Sequence, residues 1–160
     1  NKNLIDNKLD YLDVDSVDGF AMLVNKKKFK DNLYFDENFF LYLENEDLCI
    51  RKKKEHENIY VLKTAKINHL GGKSHSVLFT REIEYCRNWH WMWSKFYFNK
   101  KHYGYSKAFL TTLPTLITSV IKYLFYFITF NQYRKKIYIM RFLGLLNAIL
   151  GRKSWYRPKV

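Results

Sequence analysis

The chain has 160 residues, 48 % of them hydrophobic, which is enough to bury a core of domain size. Cys49 and Cys86 stand 37 positions apart with no Cys-x-x-Cys pair, which excludes a disulfide framework or a zinc ribbon and makes a reduced, cytosolic setting the default. The net charge of +13 is unevenly divided: residues 1–50 carry 6 Lys/Arg against 11 Asp/Glu, residues 51–160 carry 22 against 4, and no acid follows Glu84.

The opening Asn1-Lys2-Asn3 has no initiator Met or apolar targeting stretch and reads as the start of a fragment. Residues 17–25, an apolar run holding Gly19 and closed by Lys26-Lys27-Lys28, predict a buried strand. Aromatics crowd residues 34–43. Residues 47–56, opening on carboxylates and closing on cations, predict a short helix in the sense its dipole favours. Residues 59–62 and 65–70 predict one strand or two short ones, stopped by Gly71-Gly72.

From about Phe79 the texture turns helical. Arg81–Tyr97 is rich in Trp, and Ala108–Phe130 is 23 residues with one charge, Lys122, and one proline, Pro114. Its length suits a bilayer span, but Pro114, the Thr/Ser-rich first half and Lys122 favour an interfacial or partly embedded helix over a true span or a buried soluble helix. A basic turn at 132–136 precedes a second apolar helix, Ile137–Leu150, with Gly151 as its C-cap. From Tyr85 onward 14 Lys/Arg interleave with aromatics, a composition that seeks a polyanion: nucleic acid, an anionic membrane surface or substrate phosphates.

The densest carboxylate group is Glu44-Asn45-Glu46-Asp47, at a predicted strand-to-helix junction where such a turn is either a plain acidic helix start or one wall of a cleft. The longer string Phe35-Asp36-Glu37-Asn38-Phe39-Phe40-Leu41-Tyr42-Leu43-Glu44-Asn45-Glu46-Asp47-Leu48-Cys49-Ile50-Arg51 resembles the F-D-E-x-F-F-x-Y-x-E-D-x-D-L-C-x-R signature of family 2 glycosyltransferases, especially their rhamnosyltransferase-like branch. Upstream, Val14–Val24 is similar to that family's V-x-x-V-x-G-A-x-M-L-I strand. Downstream, Ala65–Ser74 is similar to its A-x-V-x-H-x-G-G-x-S end. The likeness covers residues 10–76 closely and the rest loosely.

That resemblance implies an α/β fold, the C-terminal half of a GT-A nucleotide-diphospho-sugar transferase domain over residues 1–78, followed by a mainly helical, membrane-associated tail over 79–160. It implies inverting transfer of a sugar, rhamnose by the branch, from a nucleotide-diphosphate donor to a lipid-linked or polysaccharide acceptor at the cytoplasmic face of the membrane. Nucleic acid then recedes as a partner. A carboxylate would take the acceptor's proton while a divalent metal, Mn or Mg, neutralises the diphosphate. Where the family's base stands this chain has Asn45, whose amide cannot take a proton; Glu44 and Asp47 are the expected working pair, with Asn45 orienting substrate. Gly19, Glu46, Arg51, Gly71, Gly72, Lys73 and Ser74 are the expected donor and acceptor contacts, with His75 beside them, and His69 the expected metal ligand, completed by residues outside this chain. Asp13-Val14-Asp15 spells the fold's D-x-D metal motif but falls in the acceptor-side block, so it reads as coincidence. The alternative is a non-catalytic basic module that binds anionic membrane or nucleic acid.

Overall fold

A computed structural model describes residues 10–29, 34–69 and 79–158. Of the described residues 60 % are helix and 4 % strand, which overturns the expected α/β half of a GT-A domain. Its described residues form two compact units, one of residues 10–29, 34–36 and 44–69, the other of residues 37–43 and 79–158. The Phe35–Arg51 string is therefore shared between them.

In the first unit, β1 (Tyr11–Asp13) pairs antiparallel with β2 (Tyr60–Leu62), placing Tyr11 opposite Leu62 and Asp13 opposite Tyr60. The bonds from Val14 N to Ile59 O (2.9 Å) and from Lys63 N to Asp10 O (2.8 Å) extend the ribbon at both ends. Every residue of both strands is exposed. The expected strand over 17–25 does not form: Phe20 is half exposed and Leu23 wholly so. An apolar strand is stable only when neighbouring strands satisfy its backbone and its faces are covered, and among the described residues no strand pairs with this run. Ala65–His69 likewise lies outside any strand, with Ile67 61 % exposed.

Helix α1 (Glu44–Lys54) starts three residues before the expected helix, with Glu44, Glu46 and Asp47 in its first turn and Arg51–Lys54 in its last. Only Leu48 and Cys49 of its apolar residues are buried. Ion pairs take over where apolar burial is thin: Lys53–Asp13 (2.6 Å), Lys28–Glu57 (3.2 Å) and Lys52–Glu55 (2.7 Å), with Lys52 Nζ also 3.9 Å from the centre of the Phe29 ring.

The second unit is built on α2 (Thr80–Tyr103), α3 (Tyr105–Ile128) and α4 (Gln132–Ile149), each packed on the other two. Gly104, at φ +88°, allows a one-residue turn from α2 into α3 that a side chain would strain. The expected basic turn at 132–136 is instead the first turns of α4, capped by the Asn131 side chain accepting from Arg134 N at 3.0 Å. The core holds Trp89, Met92, Trp93, Phe96, Ala108, Leu145 and Ala148. Gly144 sets the approach of α4 to α2: a Cβ there would lie 2.2 Å from the carbonyl oxygen of Trp89. Two non-helical segments complete this unit. In the first, Phe39 is buried with its ring 5.0 Å from Tyr97, and Leu41 O accepts from Ser94 Oγ at 2.7 Å. In the second, residues 152–157 form a strap in which Arg152 O accepts from Trp93 Nε1 (2.9 Å), Ser154 Oγ donates to Asn38 O (2.6 Å) and Trp155 Nε1 donates to Asn147 Oδ1 (3.1 Å).

Candidate functional site

The acidic turn of α1 is approached through Tyr42 and Leu43, whose φ angles of 70° and 68° are left-handed for two ordinary L residues in succession. Such residues cost of order 1–2 kcal/mol each and persist where the surroundings over-determine them. For Tyr42 the surroundings are plain: its ring stands edge-on to Trp91, centroids 5.4 Å apart, one residue after the carbonyl that Ser94 holds.

The four polar residues beyond this bend behave differently from one another. Asp47 is fully buried and its Oδ2 accepts from Arg51 Nε at 2.9 Å. Arg51 also donates through Nη2 to Tyr34 O at 2.6 Å, so the pair closes a structural bridge inside the first unit. Asn45 donates through Nδ2 to Val17 O at 2.8 Å, fastening the run before Gly19 to α1. A Cβ on Gly19 would meet Asn45 Cβ at 3.5 Å, ordinary van der Waals contact, so the backbone there makes no demand for glycine. Glu44 and Glu46 each bury one carboxylate oxygen, Oε2, with no hydrogen-bond partner among the described residues. Those two oxygens are the acceptors of this turn that a hydroxyl or a cation would find.

His69 is exposed, and its ring stacks on Phe20 with centroids 4.6 Å apart. Among the described residues no three His, Cys, Asp or Glu side chains come together as ligands of an ion. The described residues thus do not by themselves fit a divalent metal. Gly71, Gly72, Lys73, Ser74 and His75 lie outside the described residues. Cys49 and Cys86 are free and buried, and burial raises both thiols above their ordinary range, which leaves neither activated as a nucleophile.

The helical unit has a second set of features. Helix α3 packs Phe109 and Leu116 against the core but leaves most of its apolar side chains outward. Leu110, Ile117, Ile121, Leu124 and Ile128 recur at helical spacing and are 50–72 % exposed, whereas the residues it buries are Ala108, Thr112 and Ser119. Its hydroxyls bond back to its own carbonyls: Thr111 to Lys107, Thr112 to Ala108, Thr118 to Thr115 and Ser119 to Thr115, at 2.7–3.1 Å. At 24 residues and mean hydropathy 1.4 it is long and apolar enough to cross a bilayer, by length and composition. Lys122 turns its ammonium to the Tyr138 ring of α4, 5.2 Å from the centroid.

At the start of α4 the cations are partly answered: Lys136 pairs with Glu82 at 3.3 Å, and the Tyr133 hydroxyl donates to Glu84. Farther along α2, His90 is fully buried. Its Nε2 donates to Tyr156 O at 2.7 Å, Nδ1 has no partner among the described residues, and Phe40 and Trp89 stand with ring centroids 4.8 Å away. Burial is the main cause that lowers its pKa to about 4, and the nearby Arg157 adds to this. At neutral pH it is an uncharged donor that holds the strap.

Sequence reasoning did not find the two-sidedness of α3 or the role of His90. The first was present in the phase of Thr112 and Ser119 against Ile117, Ile121 and Leu124. The second had no local signal, since its partner is 66 residues away. No family model, no curated protein and no solved structure matches the chain.

Proposed function

We propose that the chain is the membrane-seated portion of a glycosyltransferase, one that passes a sugar from a nucleotide-diphosphate donor to a lipid-linked or polysaccharide acceptor. The membrane part of this reading is carried by the reversed sidedness of α3. A helix that buries Ala108, Thr112 and Ser119 and leaves Leu110, Ile117, Ile121, Leu124 and Ile128 outward has the arrangement of helices whose outer face meets lipid, because lipid removes the cost of apolar exposure and close packing then favours small residues. Eight outward apolar residues at roughly −0.3 to −0.6 kcal/mol each supply about −2 to −5 kcal/mol on transfer, against about +3 kcal/mol for a lysine at mid-membrane. Lys122 lies about 8 Å from the helix midpoint and has an aromatic partner, which lowers that cost. The near balance supports a partly embedded helix held with its unit at the cytoplasmic face over a lone span. A nucleic-acid partner would make no use of this apolar face.

The transferase part is supported by the Phe35–Arg51 string and by the two unpartnered carboxylate oxygens at its centre. In this reading Glu44 takes the proton as the acceptor oxygen attacks the anomeric carbon and the nucleoside diphosphate leaves from the opposite face. Glu46 holds a sugar hydroxyl, while Asp47, Arg51 and Asn45 keep the turn in shape.

Membrane flotation with a carbonate wash, alongside transfer of labelled sugar by membranes carrying the chain within its parent polypeptide, tests both parts. Carbonate-resistant retention that is lost in Ile121→Lys/Leu124→Lys supports the embedded helix; release by salt alone overturns it in favour of a basic surface module. A fall in transfer of about a hundredfold or more in Glu44→Gln, with membrane retention intact, supports the base; undiminished transfer overturns it.

A further inference from the structure

The helical unit carries a cleft of about 90 Å³ with the rings of Trp93 and Tyr97 on its walls and Lys100, Arg152 and Lys153 around it. Ala148 and Gly151, at the end of α4, contribute the remaining wall. A cleft of that volume has room for one tetrahedral oxyanion. None of the three cations has a carboxylate partner among the described residues, in contrast to Lys136 at the start of α4. The walls are fixed rather than improvised. Trp93 stacks on Tyr97 with centroids 4.9 Å apart and spends its N–H on Arg152 O, and the Tyr97 hydroxyl accepts from Asn38 Nδ2 at 3.2 Å.

The end of a helix opposes an anion with roughly half a negative charge. Here that opposition is reduced, because Leu150, Gly151 and Arg152 donate their backbone N–H groups to the carbonyls of Leu146, Ala148 and Asn147. Three whole positive charges outweigh what remains. We propose that this cleft is a binding site for the terminal phosphate of a monoester. Such a group presents three oxygens and close to two negative charges at neutral pH, matching three cations, where a phosphodiester offers two oxygens and one charge. The same group occurs on an anionic lipid headgroup and on soluble phosphate esters. The lipid source rests on the membrane reading above; the site itself does not.

The test uses the full chain and Trp fluorescence, which Trp93 makes sensitive to the cleft. Phenyl phosphate and inorganic phosphate are titrated against sulfate, and vesicles of phosphatidylcholine containing phosphatidic acid are compared with vesicles of equal charge containing phosphatidylglycerol. The proposal expects preference for the monoester in at least one arm, weakened about tenfold in Lys100→Gln/Lys153→Gln and unchanged in Lys135→Gln/Arg134→Gln, which removes the same charge from the start of α4. Preference among vesicles alone assigns the lipid source, and preference among soluble anions alone assigns a soluble ester. Equal binding of monoester and control anions in both arms, or equal weakening by both double variants, overturns the site. Loss of vesicle binding with soluble preference intact removes the membrane reading and leaves the site standing; vesicle binding blind to phosphate type, with no preference among the soluble anions, does the reverse.

Discussion

The two units spend their polar residues in opposite ways. In the unit holding α1, buried apolar side chains are scarce, the strands lie exposed, and order comes from ion pairs that reach between distant segments, such as Lys53 with Asp13 and Lys28 with Glu57. In the unit holding α2–α4, Trp89, Met92, Trp93 and Phe96 fill a core, and its buried polar groups, Ser94 and His90 among them, fasten irregular segments to a helix. Exposed ion pairs contribute about 0–1 kcal/mol each, whereas a fully buried large apolar side chain contributes about 1.5–3 kcal/mol. The first unit should therefore open more readily, and it is the one that carries the acidic turn.

Substitutions can break that contrast from either side. All four tryptophans, Trp89, Trp91, Trp93 and Trp155, belong to the helical unit, so their fluorescence reports its unfolding alone. The largest effect is expected for Gly144→Ala: with a Cβ only 2.2 Å from a main-chain oxygen, α4 must move off α2, costing about 3 kcal/mol or more and visibly lowering the denaturant midpoint. Gly19→Ala, with contact at 3.5 Å, should change stability by less than about 0.5 kcal/mol. If the two substitutions prove equal, the tight helix approach is wrong.

Acid should act next most strongly, and on the helical unit. His90 has a folded pKa of about 4 against an ordinary 6.5, so between those values the unfolded chain binds the proton and the folded one does not. Its contribution to stability is thus complete above about pH 7, falls as pH drops through 6.5, and is lost by about pH 4, for a total of about 3 kcal/mol. His90→Gln keeps a donor for Tyr156 O but cannot titrate, and should flatten that part of the pH profile in fluorescence-monitored unfolding. An unchanged slope would locate the acid sensitivity elsewhere.

The third effect falls on the weaker unit. Arg51→Ala leaves the fully buried Asp47 carboxylate without its guanidinium, and about 2–3 kcal/mol of destabilisation is expected because Arg51 is itself partly exposed. Hydrogen exchange along α1 should accelerate while the tryptophan transition stays in place. Coincident loss of both signals would mean that the chain unfolds as one cooperative body.

The helices could be read from the sequence because their causes are local. The carboxylate-to-cation polarity of Glu44–Lys54 and the long acid-free apolar stretches after Glu84 each determine structure within a few turns. Residues 17–25 show why the sheet could not: strand periodicity records what a segment would bury if neighbours were present, and Leu23, fully exposed, has none among the described residues. The acidic turn was visible as a motif, but the division of labour inside it was not. Whether Asp47 or Glu44 has an oxygen to spare depends on Arg51 and on Val17, Tyr34 and Asn45 meeting in space, and identity alone carries no trace of those pairings. Tyr42 and Leu43 gave no sign of their left-handed backbone, since neither is a residue type that prefers it.

The bond from Ser154 to Asn38 joins positions 116 residues apart. During synthesis at about 5–20 residues per second, the segment holding Asn38 and Phe40 leaves the ribosome roughly 6–23 s before Ser154, which holds the Asn38 carbonyl, and Arg157, which lies over the Phe40 ring, exist. Until then the Phe40 ring stands without that cover. In that interval the nascent chain is most open to capture by other hydrophobic surfaces, and slower translation of α3 and α4 should cost yield without altering a single contact of the finished fold.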